Sequence, residues 1–191
     1  MVDIPKQVKQ RMIGDGLRAH FEATLQQRVE RHIEVTHQPI TPNPHFAAAS
    51  AECISLYTDG YFISTVMVTQ AVAEGIRKFL VERNEIKLEE KMDGLQAVSL
   101  LLNQGIISNK CADAFNRIYK GFRNDVHHMN PKVAQIDFPK LSKSNIQDLA
   151  TIEQEVFAFK WGNNGGLIPA NPKYWDTRAD GKIGAFLRLE P

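Results

Sequence analysis

The segment from Tyr61 to Arg83 constrains the fold more than any other. Phe62, Val66, Val68, Val72, Ile76, Phe79 and Leu80 recur along it at helical spacing, the pattern of a helix that buries one face. Its β-branched run Ile63-Ser64-Thr65-Val66 suits a strand by propensity. The period carried on by Val72, Ile76 and Leu80 is too long for one, so the segment reads as a helix. Gln70, Glu74, Arg77 and Lys78 interrupt the apolar stretch, which argues for a bundle helix and against a membrane span. Glu74 has two readings here, a solvated or ion-paired carboxylate and a partner for Arg123.

Amphipathic segments on both sides complete an all-α reading. From about Lys9 to Val35, the residues Met12, Leu17, Phe21, Leu25, Val29 and Ile33 form an apolar stripe that drifts around a helix. Gly14 and Gly16 weaken its first turns and favour a start beyond them. Thr36 to Pro44 is a proline-rich connector that lets this helix pack as an arm. A second helix opens at Phe46 and carries Cys53, Ile54, Leu56 and Tyr57 to a break at Asp59-Gly60. Leu88 to Asn103 forms another, with Leu95, Val98, Leu101 and Leu102 inward and Gly105 suited to a left-handed cap. Ser108 is an N-cap for a helix expected from Asn109 to about Met129, which buries Cys111, Ala114, Phe115, Ile118 and Phe122 and ends at Asn130-Pro131. Ser144-x-x-Gln147 reads as a capping box that opens a last helix to about Trp161, with Ile146, Leu149, Ile152, Val156 and Phe159 on one face.

The expected architecture is an all-α bundle of about five or six helices with an irregular C-terminal tail. Residues 1–45 supply the first helix and its connector, and residues 46–161 the bundle. The tail, 162–191, packs on the bundle, forms a small strand or hairpin, or contacts a partner.

A chain of 191 residues with 43% apolar composition is long enough for one buried core. Its formal charge of +1 provides no global field to gather nucleic acid, so any RNA contact rests on a local patch. Cys53 and Cys111 sit in apolar-periodic segments, which reads as core packing and suits a reducing cytoplasm. With no charged-then-apolar leader, the expectation is a soluble cytoplasmic protein without a membrane partner. His20, His32, His37 and His45 show no metal-ligand pattern, and no phosphate-cradling glycine loop occurs, so neither metal nor cofactor is expected.

Chemistry concentrates in one stretch, Gly121-Phe122-Arg123-Asn124-Asp125-Val126-His127-His128-Met129-Asn130-Pro131. At about 100° per residue, Arg123 and His127 lie within roughly 40° of one another, one turn apart. Asn124 and His128 form a second such pair on a continuous helix, and either histidine qualifies as the chemical one. A structural reading stands beside this. Arg123 binds Asp125 or Glu74, and the histidines sit at a helix C-terminus, where cations are favoured. A metal site on His127, His128 and Asp125 is disfavoured, because adjacent histidines point about 100° apart.

The segment Arg123-Asn124-x-x-x-His128 resembles the signature motif of the HEPN superfamily. So does the order of elements before it: a long helix, Leu95-x-x-x-x-x-Leu101-Leu102-x-x-Gly105-x-Ile107, then Phe115-x-x-Ile118 leading to the motif. The likeness covers roughly residues 46 to 161. It implies a small helical bundle that dimerises with its motif faces meeting. It also implies a metal-independent endoribonuclease acting on RNA, of a kind common among toxins and defence effectors, with an antitoxin or regulatory protein as a further partner. Arg123 then matches the motif arginine, Asn124 the polar residue after it and His128 the histidine, with His127 additional. Such chemistry needs a base for the 2′-hydroxyl and an acid for the leaving oxygen, roles that suit histidine, and a charged fork for the phosphorane, which suits arginine. Some relatives are noncatalytic, which keeps open a second reading, a helical module that binds protein or nucleic acid.

Overall fold

The computed structural model describes residues 5–42, 44–128, 130–180 and 182–188, and of Arg123 and Asn124 the backbone only. In chain order the helices are α1 (Lys6–Ile33), α2 (Ala47–Asp59), α3 (Phe62–Arg83), α4 (Gly94–Asn103), α5 (Asn109–Lys120), α6 (Arg123–His127) and α7 (Phe138–Val156). The protein is an all-α bundle, and α3 is its centre: α2, α4, α5, α6 and α7 all pack against it. Val66, Val72, Ala73, Ile76 and Leu80 on α3 are buried. All of these but Val66 meet Cys53 from α2, Leu101 from α4, Phe115 and Ile118 from α5, and Ile152 from α7 in one continuous core. Each large aliphatic side chain removed from water in this way contributes about 1.5–3 kcal/mol. Between α5 and α7 the core is flanked by a fork in which Arg117 donates through Nη2 to Asp148 Oδ1 at 2.7 Å and through Nε to both carboxylate oxygens at 3.1 Å.

Helix ends depart from the expected bounds in ways that follow from capping. α1 starts at Lys6 and runs through Gly14 and Gly16 instead of beginning beyond them. α4 starts at Gly94, later than the expected Leu88, because Asp93 and Gln96 close a reciprocal capping box. α7 starts earlier than Ser144. Asp137 accepts from the Lys140 N–H, and Pro139 occupies the first turn, where its missing donor costs nothing. Ser144 and Gln147 therefore lie inside α7. That helix stops at Val156, and Phe159 opens a strand.

The tail is built of short antiparallel pairs. Strand β1 (Ile40–Thr41) of the connector pairs with β6 (Phe186–Leu187), with Ile40 opposite Leu187. β2 (Phe159–Trp161) pairs with β3 (Leu167–Pro169), and β4 (Asp176–Thr177) with β5 (Ile183–Gly184). Tyr174 and Trp175 join the core, and the Tyr174 hydroxyl accepts from Asn84 Nδ2 at 2.9 Å. The tail thus folds back over the bundle. Leu189, the end of its apolar run, lies outside the described residues.

The return is fixed by a buried ion pair. Arg188, 5% exposed, reaches Glu153, 1% exposed, through two nitrogens at 2.6 Å each. The same guanidinium donates to Ser50 Oγ at 2.7 Å and to the Gln38 carbonyl at 3.0 Å. Removing one partner leaves the other charge buried and uncompensated. Glu153→Ala should therefore lose about 3–5 kcal/mol of unfolding free energy in urea titration, whereas the apolar double variant Glu153→Met/Arg188→Met should recover most of it. Burial also pushes the Cys53 and Cys111 thiols well above their ordinary range. Both should resist iodoacetamide at pH 8 in the folded protein and react fully in denaturant, as followed by mass spectrometry.

Candidate functional site

The helix expected from Asn109 to Met129 is two helices. α5 buries Cys111, Ala114, Phe115 and Ile118 as anticipated but ends at Lys120, and Gly121 caps it. A Cβ at Gly121 would stand 3.2 Å from the Arg117 carbonyl oxygen, so glycine suits this close approach of backbone. Phe122 then takes a left-handed φ of 56°. The apolar period had placed Phe122 inward; after the break it is 46% exposed, and Val126, 0% exposed, takes the inward position. Met129, the expected end of the helix, lies outside the described residues.

A buried amide holds the break. Gln70 of α3, shielded from solvent, donates through Nε2 to the Gly121 carbonyl at 3.0 Å. That carbonyl belongs to a helix terminus, where intrahelical partners run out. A left-handed phenylalanine costs about 1–2 kcal/mol, and it persists where the surroundings over-determine it. Here Gln70 fixes the residue before it, and the Val126 N–H donates back to the Phe122 carbonyl at 2.9 Å. In the sequence Gln70 reads only as an interruption of an apolar stretch. Burial of an amide in mid-helix was the available sign that it serves a backbone group.

On α6 the backbone places Arg123 and His127 one turn apart, as expected. His128 lies in the turn after α6, so Asn124 and His128 are not a pair on one regular helix. Both histidines are exposed. The side chains of Arg123 and Asn124 fall outside the described atoms. Asp125 accepts from Asn130 Nδ2 at 3.0 Å, and the Asn130 N–H donates to the Asp125 carbonyl at 3.0 Å, which ties α6 to the 3₁₀ turn Pro131–Gln135. Glu74 makes an ion pair with Lys78 at 2.9 Å.

Beside the motif opens a cleft of about 340 Å³, lined by Asp93, Gly94 and Leu95 at the start of α4, Tyr119 and Lys120 at the end of α5, and Phe122 and Asp125. It combines aromatic walls with charges of both signs. Among the described residues, no three His, Cys, Asp or Glu side chains converge in a way that would hold a metal ion. No described helix is long and apolar enough to cross a membrane. No family model matches the sequence, and no curated protein or solved structure matches it either. The class defined by the fold is an all-α bundle closed by a strand-paired tail.

Gln70→Met keeps the volume but removes the donor to Gly121. It should cost about 1–3 kcal/mol for the orphaned carbonyl, read by denaturant unfolding. Amide exchange should accelerate over 121–127 while the centre of α3 stays protected.

Proposed function

We propose that the protein is a metal-independent endoribonuclease of the HEPN type, acting in the cytoplasm as a homodimer whose two motif faces meet. The observation that carries this reading is the exposure of His127 and His128 at the end of a short helix that begins at Arg123, beside an open cleft. Exposed imidazoles are within reach of a polymer that cannot enter a deep pocket. The arrangement across two copies brings Arg123 and His128 of each chain to one scissile phosphate.

The chemistry is internal transesterification. One imidazole takes the proton of the 2′-hydroxyl, O2′ attacks phosphorus, and the bond from phosphorus to O5′ breaks as an imidazolium donates its proton to that oxygen. Arg123 offsets the charge that develops on the phosphorane. Asn124 orients the phosphate or holds a histidine tautomer. The products are a 2′,3′-cyclic phosphate and a 5′-hydroxyl, with no metal and no redox partner required. Phe122, exposed and held just ahead of the motif, offers a face on which a base stacks. Such an activity calls for restraint by an antitoxin or regulatory protein. A second reading, a noncatalytic helical module, draws on a different observation, the exposed apolar surface of α1.

Purified protein given labelled single-stranded RNA in EDTA should produce fragments ending in cyclic phosphate, with a bell-shaped pH–rate profile. His128→Ala should lower the rate by about 10²–10⁴-fold, the share carried by general acid–base transfer, and Arg123→Ala should also impair cleavage. Equal activity in His128→Ala and wild type would transfer the role to His127, and cleavage untouched in His127→Ala/His128→Ala would sink the reading.

A further inference from the structure

The cleft beside α6 carries more polar groups than the cutting of a phosphodiester uses. Its volume of about 340 Å³ lies at the lower end of ligand pockets, about 300–1,000 Å³, so its occupant is small. Phe122 forms one wall, exposed on a left-handed backbone. A ring left in water on a strained backbone does not stabilise the fold, and strain of this kind clusters where ligands bind. Tyr119 forms another wall. It stacks on Phe115 with centroids 6.3 Å apart, and a Cβ at Gly94 would still stand 3.6 Å from Tyr119 Cζ, so the start of α4 leaves this ring uncrowded. Two carboxylates complete the lining, each oriented through one oxygen only. Asp93 Oδ1 accepts from the Gln96 N–H at 2.8 Å, and Asp125 Oδ1 from Asn130 Nδ2 at 3.0 Å. Among the described residues, nothing donates to either Oδ2.

We propose that this cleft reads guanine, so that cleavage falls beside a guanosine in single-stranded RNA. The inference rests on the nuclease reading for the cutting and on the cleft alone for the base. The lining charges are two carboxylates against one ammonium, that of Lys120. Such a cleft repels phosphate, and the group it takes from a nucleotide is the base. Aromatic walls stack any base, and the edge decides which one stays. Guanine alone carries two neighbouring donors, N1–H and the N2 amino group, which the two free carboxylate oxygens accept. Its O6, beside N1–H, is an acceptor for Lys120. Uracil sets a single donor between two carbonyls. Adenine and cytosine each set a ring acceptor beside one amino group, so each of the three turns a lone pair toward a carboxylate. The chain supplies the adjacency. Phe122 directly precedes Arg123 and Asp125 follows it by two residues, so a base in the cleft leaves its phosphate at the start of α6.

Fluorescence anisotropy with labelled deoxyuridine oligomers, which lack the 2′-hydroxyl and cannot be cut, tests the cleft apart from the cutting. One central deoxyguanosine should tighten binding about tenfold or more over deoxyadenosine, deoxycytidine or deoxyuridine at that position. Deoxyinosine, without the N2 amino group, should lose most of that gain. Phe122→Gly suits the left-handed backbone and should keep the melting temperature at or above that of the wild type while weakening binding. Asp93→Asn/Asp125→Asn retains an N-cap and an acceptor for Asn130, and should abolish the preference for guanine. Equal affinity for the four bases, or a preference that survives Asp93→Asn/Asp125→Asn, overturns the proposal. So does displacement of the oligomer by equimolar guanosine 5′-monophosphate, which would assign the cleft to a free nucleotide. Guanine-selective binding with the matching RNA oligomer left uncut would remove the nuclease reading and leave the cleft's specificity standing. Cutting of RNA without regard to guanine would do the reverse.

Discussion

The molecule closes on Arg188 and Glu153. Two ions this deeply buried would be unfavourable as bare charges, since desolvation costs several kcal/mol per ion even after relaxation. The pair stands because nearly all of its hydrogen-bonding capacity is used. Glu153 receives two guanidinium nitrogens and the Ser50 hydroxyl, and Arg188 also reaches Ser50 and the Gln38 carbonyl. Four stretches of chain therefore meet at one point: the connector after α1, the start of α2, the end of α7 and the tail. Gln38 extends the junction by donating through Nε2 to the Phe157 carbonyl at 3.2 Å, and the Arg188 N–H donates to the Pro39 carbonyl at 3.0 Å. β1 can pair with β6 only where this cluster brings residues 40 and 187 together. The end of α1 is held by separate bonds, from Arg28 to Asp59 and from the Arg31 Nε to the Thr58 carbonyl at 2.7 Å.

Much of the bundle was legible because burial of an apolar face is a local pattern. Val72, Ile76 and Leu80 announce α3 without reference to any other element, and Ser108 announces the start of α5 by an N-cap that the structure realises through a bond from the Cys111 N–H. The errors fall where two local signals compete or where the deciding contact is distant. Ser144 and Gln147 fit a capping box, but Asp137 and Pro139 already supply a start seven residues earlier, and a helix once begun does not need a second cap. Asp93 and Gln96 do form such a box, and it sets the start of α4. The pairing of Arg188 with Glu153 has no counterpart in sequence at all. Neither residue lies in a motif, and nothing local says that a charged side chain three places from the end is taken to the centre.

The motif shows how an apolar period misleads at a helix end. Cys111, Phe115, Ile118 and Phe122 continue one face on paper, and the continuation fails after Lys120, where Gly121 caps α5 and Phe122 turns left-handed. From there the chain restarts with Val126 as its anchor. The restart preserves the relation between Arg123 and His127, which depends on four residues of helix, and loses that between Asn124 and His128, which depends on one residue more. The ambiguity between the two histidines is therefore physical. His127 stands on the helix with the arginine, while His128 sits in a turn whose direction the 3₁₀ segment and the Asp125–Asn130 bonds decide.

The core also explains why α1 stands apart. α3 is covered on its several sides by α2, α4, α5 and α7, and the tail aromatics Tyr174 and Trp175 complete that cover, so the interior is closed before α1 is counted. A helix that meets the body through its last turns, as α1 meets α2, ordinarily becomes polar elsewhere, since solvent-facing apolar residues bring no stability. α1 has instead kept large apolar residues at successive turns through its whole length, together with two glycines that leave open space around its backbone. Within one copy these features oppose each other, because the glycines loosen a helix that the exposed side chains do nothing to hold.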